Sequence, residues 1–376
     1  MHTKLILFLC LIITNVTLGQ IQINRNLDLE LSEDSTTAVR LENSLNAFLT
    51  EAQNNSFSHK YVDSNHLERH GFFFAKFSRI GKNSSWTFHP PSILKSYDTG
   101  NGNYKITISF TGIKDDIPFV YQVTEILAVP VEDHYQFYCL FDENTRNFKT
   151  RKFNDVTYHY SGAINDSKAQ EFAEFKDELT NLTATPKSHL DYYCFESLDE
   201  LLKSHGFLYS ARQCNFLCHD LGFMDQNAQV YLTGTANENY AFGYVSDYIY
   251  YNLPNPDDMY WPFMQGLSTY YGGYGLSYDS MDELKQQFRE ELKQNPDIDF
   301  LEEFKKGRKS SVNRHFSYYV MSAFLCEEVM RKKGFDDIMT LVYSGDNGEL
   351  FFENLHKVMG IDESDFHKTI LRLIEA

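Results

Sequence analysis

A chain of 376 residues with a formal net charge of −18 at pH 7 lacks the basic face that nucleic acid or an anionic membrane requires, which sets both aside as partners. Its apolar content of 42% is enough for real cores and excludes general disorder, and the length suits two domains rather than one.

Taken in chain order, Lys4 precedes an almost unbroken apolar run, Leu5 to Ile13, which passes into Thr14, Asn15, Thr17 and Gly19. That run is too short to span a bilayer as a helix. Its order of charge, apolar core and small residues is that of a secretory signal peptide over residues 1–19, with Gln20 as the new N-terminus. The protein is therefore expected to be exported, periplasmic or secreted, and no later stretch has the apolar length of a membrane anchor. Residues 20–34 read as a polar, acidic leader.

From Ser35, Ala38, Leu41, Leu45, Phe48 and Leu49 recur at helical spacing and end in Gln53-Asn54-Asn55. A short helix is expected around Asn65 to Phe73. Alternation over Tyr104 to Phe110, and β-branched and aromatic residues over Pro118 to Val129 and Tyr135 to Phe141, predict strands. One helix followed by an antiparallel sheet is an α+β layout, cone-like over residues 35–150. It resembles the cystatin and nuclear-transport-factor folds in element order. A boundary is expected at Asn147 to Asp155, where Lys and Arg cluster. Beyond it come a strand (Asp155 to Tyr160), a helix (Ala169 to Leu182), a strand (Asp191 to Glu196) and a helix (Leu198 to His205) stopped by Gly206. The remainder reads as mostly helical, with helices over Met281 to Lys293, Phe316 to Lys332, Phe335 to Tyr343, Leu350 to Met359 and Glu363 to Ile374.

Candidate metal-binding residues are few. His66 and His70 stand four apart with Glu68 between them, one position late for a zincin helix, and read as a surface pair. Cys214 and Cys218 would share a helical face beside His219, but no second pair follows. That leaves buried thiols, or one disulfide among Cys194, Cys214 and Cys218.

The informative block is Asn237-Glu238-Asn239-Tyr240-Ala241-Phe242-Gly243-Tyr244-Val245-Ser246-Asp247-Tyr248, followed by Tyr260-Trp261-Pro262-Phe263-Met264-Gln265-Gly266-Leu267-Ser268-Thr269-Tyr270-Tyr271-Gly272-Gly273. Its second half resembles the Glu-Gly-Leu-Ala-x-Tyr segment of the gluzincin peptidases, the peptidase-MA-like proteins among them. The likeness covers roughly residues 155–376, and it implies a zincin-like domain there. In that family the Glu is the third zinc ligand. The His-Glu-x-x-His helix, with two ligands and the water-activating Glu, lies about eighteen residues upstream.

Counting back from Gln265 places Ser246 at the second-histidine position, Phe242 at the first and Gly243 at the general base. A phenyl ring donates nothing to a metal, a hydroxyl and an amide are poor replacements for imidazole and carboxylate, and Gly243 cannot take a proton from water. The resemblance therefore implies a pseudopeptidase with no catalytic residues, no metal and no cofactor, the ancestral zinc having been lost. Its aromatic groove, with Tyr240, Tyr244, Tyr248, Tyr270 and Tyr271 as binding residues, would hold a peptide or protein. Two other readings stay open: an active metallopeptidase with ligands moved to Asp247, His219 or Glu238, and a structural or assembly component of the cell envelope.

Overall fold

The structure is a computed structural model that describes residues 24–25, 31–54, 56–83, 91–114, 116–210, 222–225, 229–274, 280–307, 317–346 and 348–375. The expected signal peptide, Cys214, Cys218 and His219 lie outside the described residues. The helices are α1 (Ser35–Gln53), α2 (Ser64–Arg69), α3 (Gly71–Asn83), α4 (Phe141–Thr145), α5 (Asp166–Leu182), α6 (Leu198–Ser204), α7 (Phe242–Asn252), α8 (Trp261–Gly272), α9 (Met281–Gln294), α10 (Phe300–Lys306), α11 (Ser317–Lys332), α12 (Phe335–Val342), α13 (Gly348–Met359) and α14 (Phe366–Glu375). The strands are β1 (Asn24–Arg25), β2 (Pro91–Gly100), β3 (Asn103–Lys114), β4 (Ile117–Val131), β5 (His134–Tyr138), β6 (Lys149–Phe153), β7 (Val156–Tyr160), β8 (Leu190–Cys194), β9 (Phe207–Ser210), β10 (Gly222–Asp225) and β11 (Val230–Thr233). The chain is mixed α+β: an N-terminal antiparallel sheet region, then a mostly helical C-terminal part.

Two compact units divide the chain: residues up to Asn147 together with 202–216, and 148–201 together with 217 onward. In the first, strands run in the order β1-β2-β3-β4-β5, and β9 pairs with the N-terminal half of β4. Tyr104, Ile106, Ile108 and Phe110 of β3 and Ile126 and Ala128 of β4 are buried, the alternation that puts one face of a strand into a core. Asp34 caps α1 by accepting the Thr37 N–H at 2.7 Å. The apolar stripe of α1 then meets the sheet and α3 through Phe48, whose ring lies 4.7 Å from Phe137 and 5.5 Å from Phe77. The helix expected over Asn65 to Phe73 is broken at His70, which leaves helical geometry and separates α2 from α3.

The second unit holds a five-stranded sheet, β10-β11-β8-β7-β6, in which β7, β8 and β11 are parallel and the two edge strands antiparallel. The expected mostly helical remainder omits β9, β10 and β11, and the basic stretch read as a boundary contains β6. Lys149, Thr150, Arg151 and Lys152 are all exposed on that edge strand, where charge discourages pairing with another chain. Helix α5 connects the parallel strands β7 and β8 and packs Phe172 against Tyr192 at 4.9 Å. The remaining helices share a core of Phe288, Phe304, Phe324, Phe351 and Phe366.

Candidate functional site

Three tyrosines stand side by side on β7, β8 and β11, with Tyr158 and Tyr231 each in register with Tyr192. Burial holds all three hydroxyls neutral by pushing their pKa values up, so each acts as a hydrogen-bonding group rather than a base. Tyr158 donates to the Glu238 carbonyl and Tyr192 to the Asn237 carbonyl, both at 2.9 Å, and the Tyr231 oxygen accepts the Tyr244 N–H at 3.0 Å. This row of hydroxyls positions the approach to α7 and its first turn.

Helix α7 then lies directly on edge strand β10. A Cβ built on Gly243 would stand 2.3 Å from the Gly222 carbonyl oxygen, closer than real carbon and oxygen atoms approach. One turn further, Asp247 Oδ2 accepts the Met224 N–H at 2.7 Å and fastens β10 to the helix a second time. The Ser246 hydroxyl turns back and donates to the Gly243 carbonyl at 3.1 Å. The Phe242 ring is buried against Tyr274 at 6.0 Å.

Helix α8 packs on α7 through its far end, where a Cβ on Gly272 would lie 2.2 Å from the Phe242 nitrogen. Its other side meets α11, with no room for a Cβ between Gly266 and Ser322. Gln265 is buried, and its carbonyl accepts the Thr269 hydroxyl at 2.9 Å. Phe242, Gly243, Ser246 and Gln265 thus all sit on one packed helix pair. Between them they offer one hydroxyl engaged in its own helix turn and one neutral amide. Glu238 and Asp247, the described alternatives for relocated ligands, each have an oxygen committed to a backbone N–H, that of Asn165 in the case of Glu238 at 2.7 Å.

The tyrosines expected to line a groove divide into two groups. Tyr240, Tyr244 and Tyr248 are core side chains, exposed by 1%, 1% and 5%, so no peptide reaches them. Tyr244 packs on Phe172 and Tyr231, and the Tyr248 hydroxyl bonds those of Thr180 and Thr185. Tyr270 and Tyr271 are partly exposed, with rings 4.9 Å apart, and Tyr271 rests on Phe175 at 5.1 Å. The sequence could not separate the groups, since a Tyr suits a core or a groove equally. The i, i+4 spacing of Tyr240, Tyr244 and Tyr248 was the available sign of a single buried face.

A second cluster lies in the first unit. His66 and His70, expected at the surface, are buried, and their rings stand 4.3 Å apart. Cys139, just past β5, completes a trio whose nitrogen and sulfur atoms all fall within 4.8 Å of one another. His66 Nε2 accepts the Cys139 N–H at 3.0 Å, and His70 Nε2 lies 3.2 Å from Asp142 Oδ2. Arg69 holds the other oxygen of that carboxylate at 2.9 Å. Burial, with the His70 charge second, pushes the His66 pKa down to about 3, so this imidazole is neutral at any physiological pH. Burial pushes the Cys139 thiol up. The Asp142 carboxyl is held below its ordinary value, chiefly by the His70 hydrogen bond. Cys139, Cys194 and Cys326 are free thiols, so Cys194 is not in a disulfide.

Comparisons with protein-family models, with curated proteins and with solved structures find no match to this chain.

Proposed function

We propose that the second unit is a gluzincin-type, zincin-like framework without peptidase chemistry, and that the protein is an exported binding protein for a peptide or protein segment. The first unit, on this reading, is a helix-plus-sheet module of the cystatin or nuclear-transport-factor kind. The observation that carries the proposal is the contact at Gly243. The position corresponding to the general base is occupied by a glycine pressed onto a backbone carbonyl, with no space for a carboxylate side chain. The neighbouring ligand positions, Phe242, Ser246 and Gln265, supply neither imidazole nor carboxylate. Among the described residues no helix is long and apolar enough to cross a membrane.

The binding surface follows from exposure. Tyr240, Tyr244 and Tyr248 belong to the framework, and Tyr270 and Tyr271 are the aromatic side chains of the set that a ligand can touch. A mixed library of fluorogenic peptides incubated with the full chain and zinc tests both halves of the reading. The expected result is retention of peptides without cleavage above buffer, with retention weakened in Tyr270→Ala/Tyr271→Ala. Chelator-sensitive cleavage, or retention indifferent to both tyrosines, would refute it.

A further inference from the structure

We infer that His66, His70 and Cys139 form a binding site for a borderline-soft transition-metal cation, Zn²⁺ in the first instance, inside the N-terminal unit. The inference is independent of the reading of α7 and α8. It limits the sequence-based expectation of a metal-free chain to that helix pair.

The geometry is that of donors gathered before the cation arrives. Helix α2 carries His66, its C-cap residue His70 follows four positions on, and Asp63 caps the helix start by accepting the His66 N–H at 3.0 Å. The helix and its C-cap therefore present two imidazoles with rings 4.3 Å apart, and the exit of β5 brings a thiol to them. All three side chains are shut from solvent, at 7%, 4% and 4% exposure. A tetrahedral zinc with N and S ligands needs donor atoms about 3.3–3.6 Å apart. The three donor atoms lie within 4.8 Å of one another, so no pair has to close by more than about 1.5 Å to reach that spacing.

The surrounding groups suit that role. The Asp142 carboxylate accepts from His70 Nε2–H, which fixes the tautomer with Nδ1 as the free lone pair and leaves Arg69 to steady the carboxylate. Loading asks one exchange: at His66 Nε2 the cation takes the place of the Cys139 N–H. The thiol proton leaves to solvent, so each cation bound releases one proton. Three protein donors leave a fourth position open for water or for a ligand atom.

The test is titration of metal-free, reduced full chain with Co²⁺, then displacement by Zn²⁺. The expected result is one equivalent bound, with a thiolate-to-cobalt charge-transfer band that Zn²⁺ abolishes. Cys139→Ala removes the band. Asp142→Asn, which keeps all three ligands, weakens affinity about 10- to 100-fold. Circular dichroism of each variant establishes that it is folded. Absence of a band in the folded wild-type chain overturns the inference, and so does a band that survives unchanged in folded Cys139→Ala, which would place the cation elsewhere.

Discussion

The Gly222 carbonyl oxygen occupies the space into which a side chain on Gly243 would have to project, 2.3 Å from where its Cβ would be. Strand β10 and helix α7 are therefore in backbone contact at Gly243, the position that the proposed gluzincin-type reading gives to the general base. On the proposed reading, the absence of that base is built into the packing of the fold.

Gly243→Ala tests this directly. In an open helix the change would stabilise by about 1 kcal/mol. Here overpacking against a backbone atom is expected to reverse the sign and cost about 2 kcal/mol net. Urea denaturation measures it, and an unchanged or raised midpoint would show that β10 yields.

Tyr231→Phe removes the acceptor of the Tyr244 N–H inside the core. A buried N–H left without a partner costs about 1–3 kcal/mol, so this variant should unfold at lower denaturant than the wild type. Tyr250→Phe, on the exposed side of the same helix, should leave the midpoint unchanged. Equal effects of the two would remove the tyrosine row from the account.

Glu328 gives the pH dependence. Its side chain is 6% exposed and bonds Arg331 at 2.6 Å, Lys332 at 2.7 Å and Arg372 of α14 at 3.2 Å. Burial raises its pKa, but the hydrogen bonds from Lys332, Arg331 and Arg372 outweigh that and hold it at about 2, below the ordinary 4.5. A carboxyl with a depressed folded pKa stabilises above its unfolded value and loses that contribution as pH falls through the folded one. The cationic partners are largely solvated, so the contribution is about 1–2 kcal/mol rather than the full linkage value. Glu328→Gln should be less stable by that amount at pH 7 and equal to the wild type near pH 2. A difference that persists at low pH would make the effect one of packing.

Much of this architecture is legible in the residues. Leu41, Leu45, Phe48 and Leu49 announce α1, and the alternation from Tyr104 to Phe110 announces β3, because each periodicity runs long enough to exceed chance. Strands β9, β10 and β11 have four residues each, too few for alternation to register, and β9 joins β4 by a pairing no local pattern encodes. His66 and His70 read as surface residues because Glu68 and Arg69 flank them. Their burial depends on Cys139 and Phe141 arriving from more than sixty residues away. Only the resemblance singles out Phe242, Gly243, Ser246 and Gln265 in the sequence, and the Gly222 contact that confines Gly243 is long-range.

The most direct measurement is anomalous X-ray scattering at the zinc edge from crystals grown with zinc. The account predicts density at His66, His70 and Cys139 and none between α7 and α8. A zinc peak beside Ser246 and Gln265, held by Glu238 or Asp247, would contradict the claim that this helix pair has left metal chemistry behind.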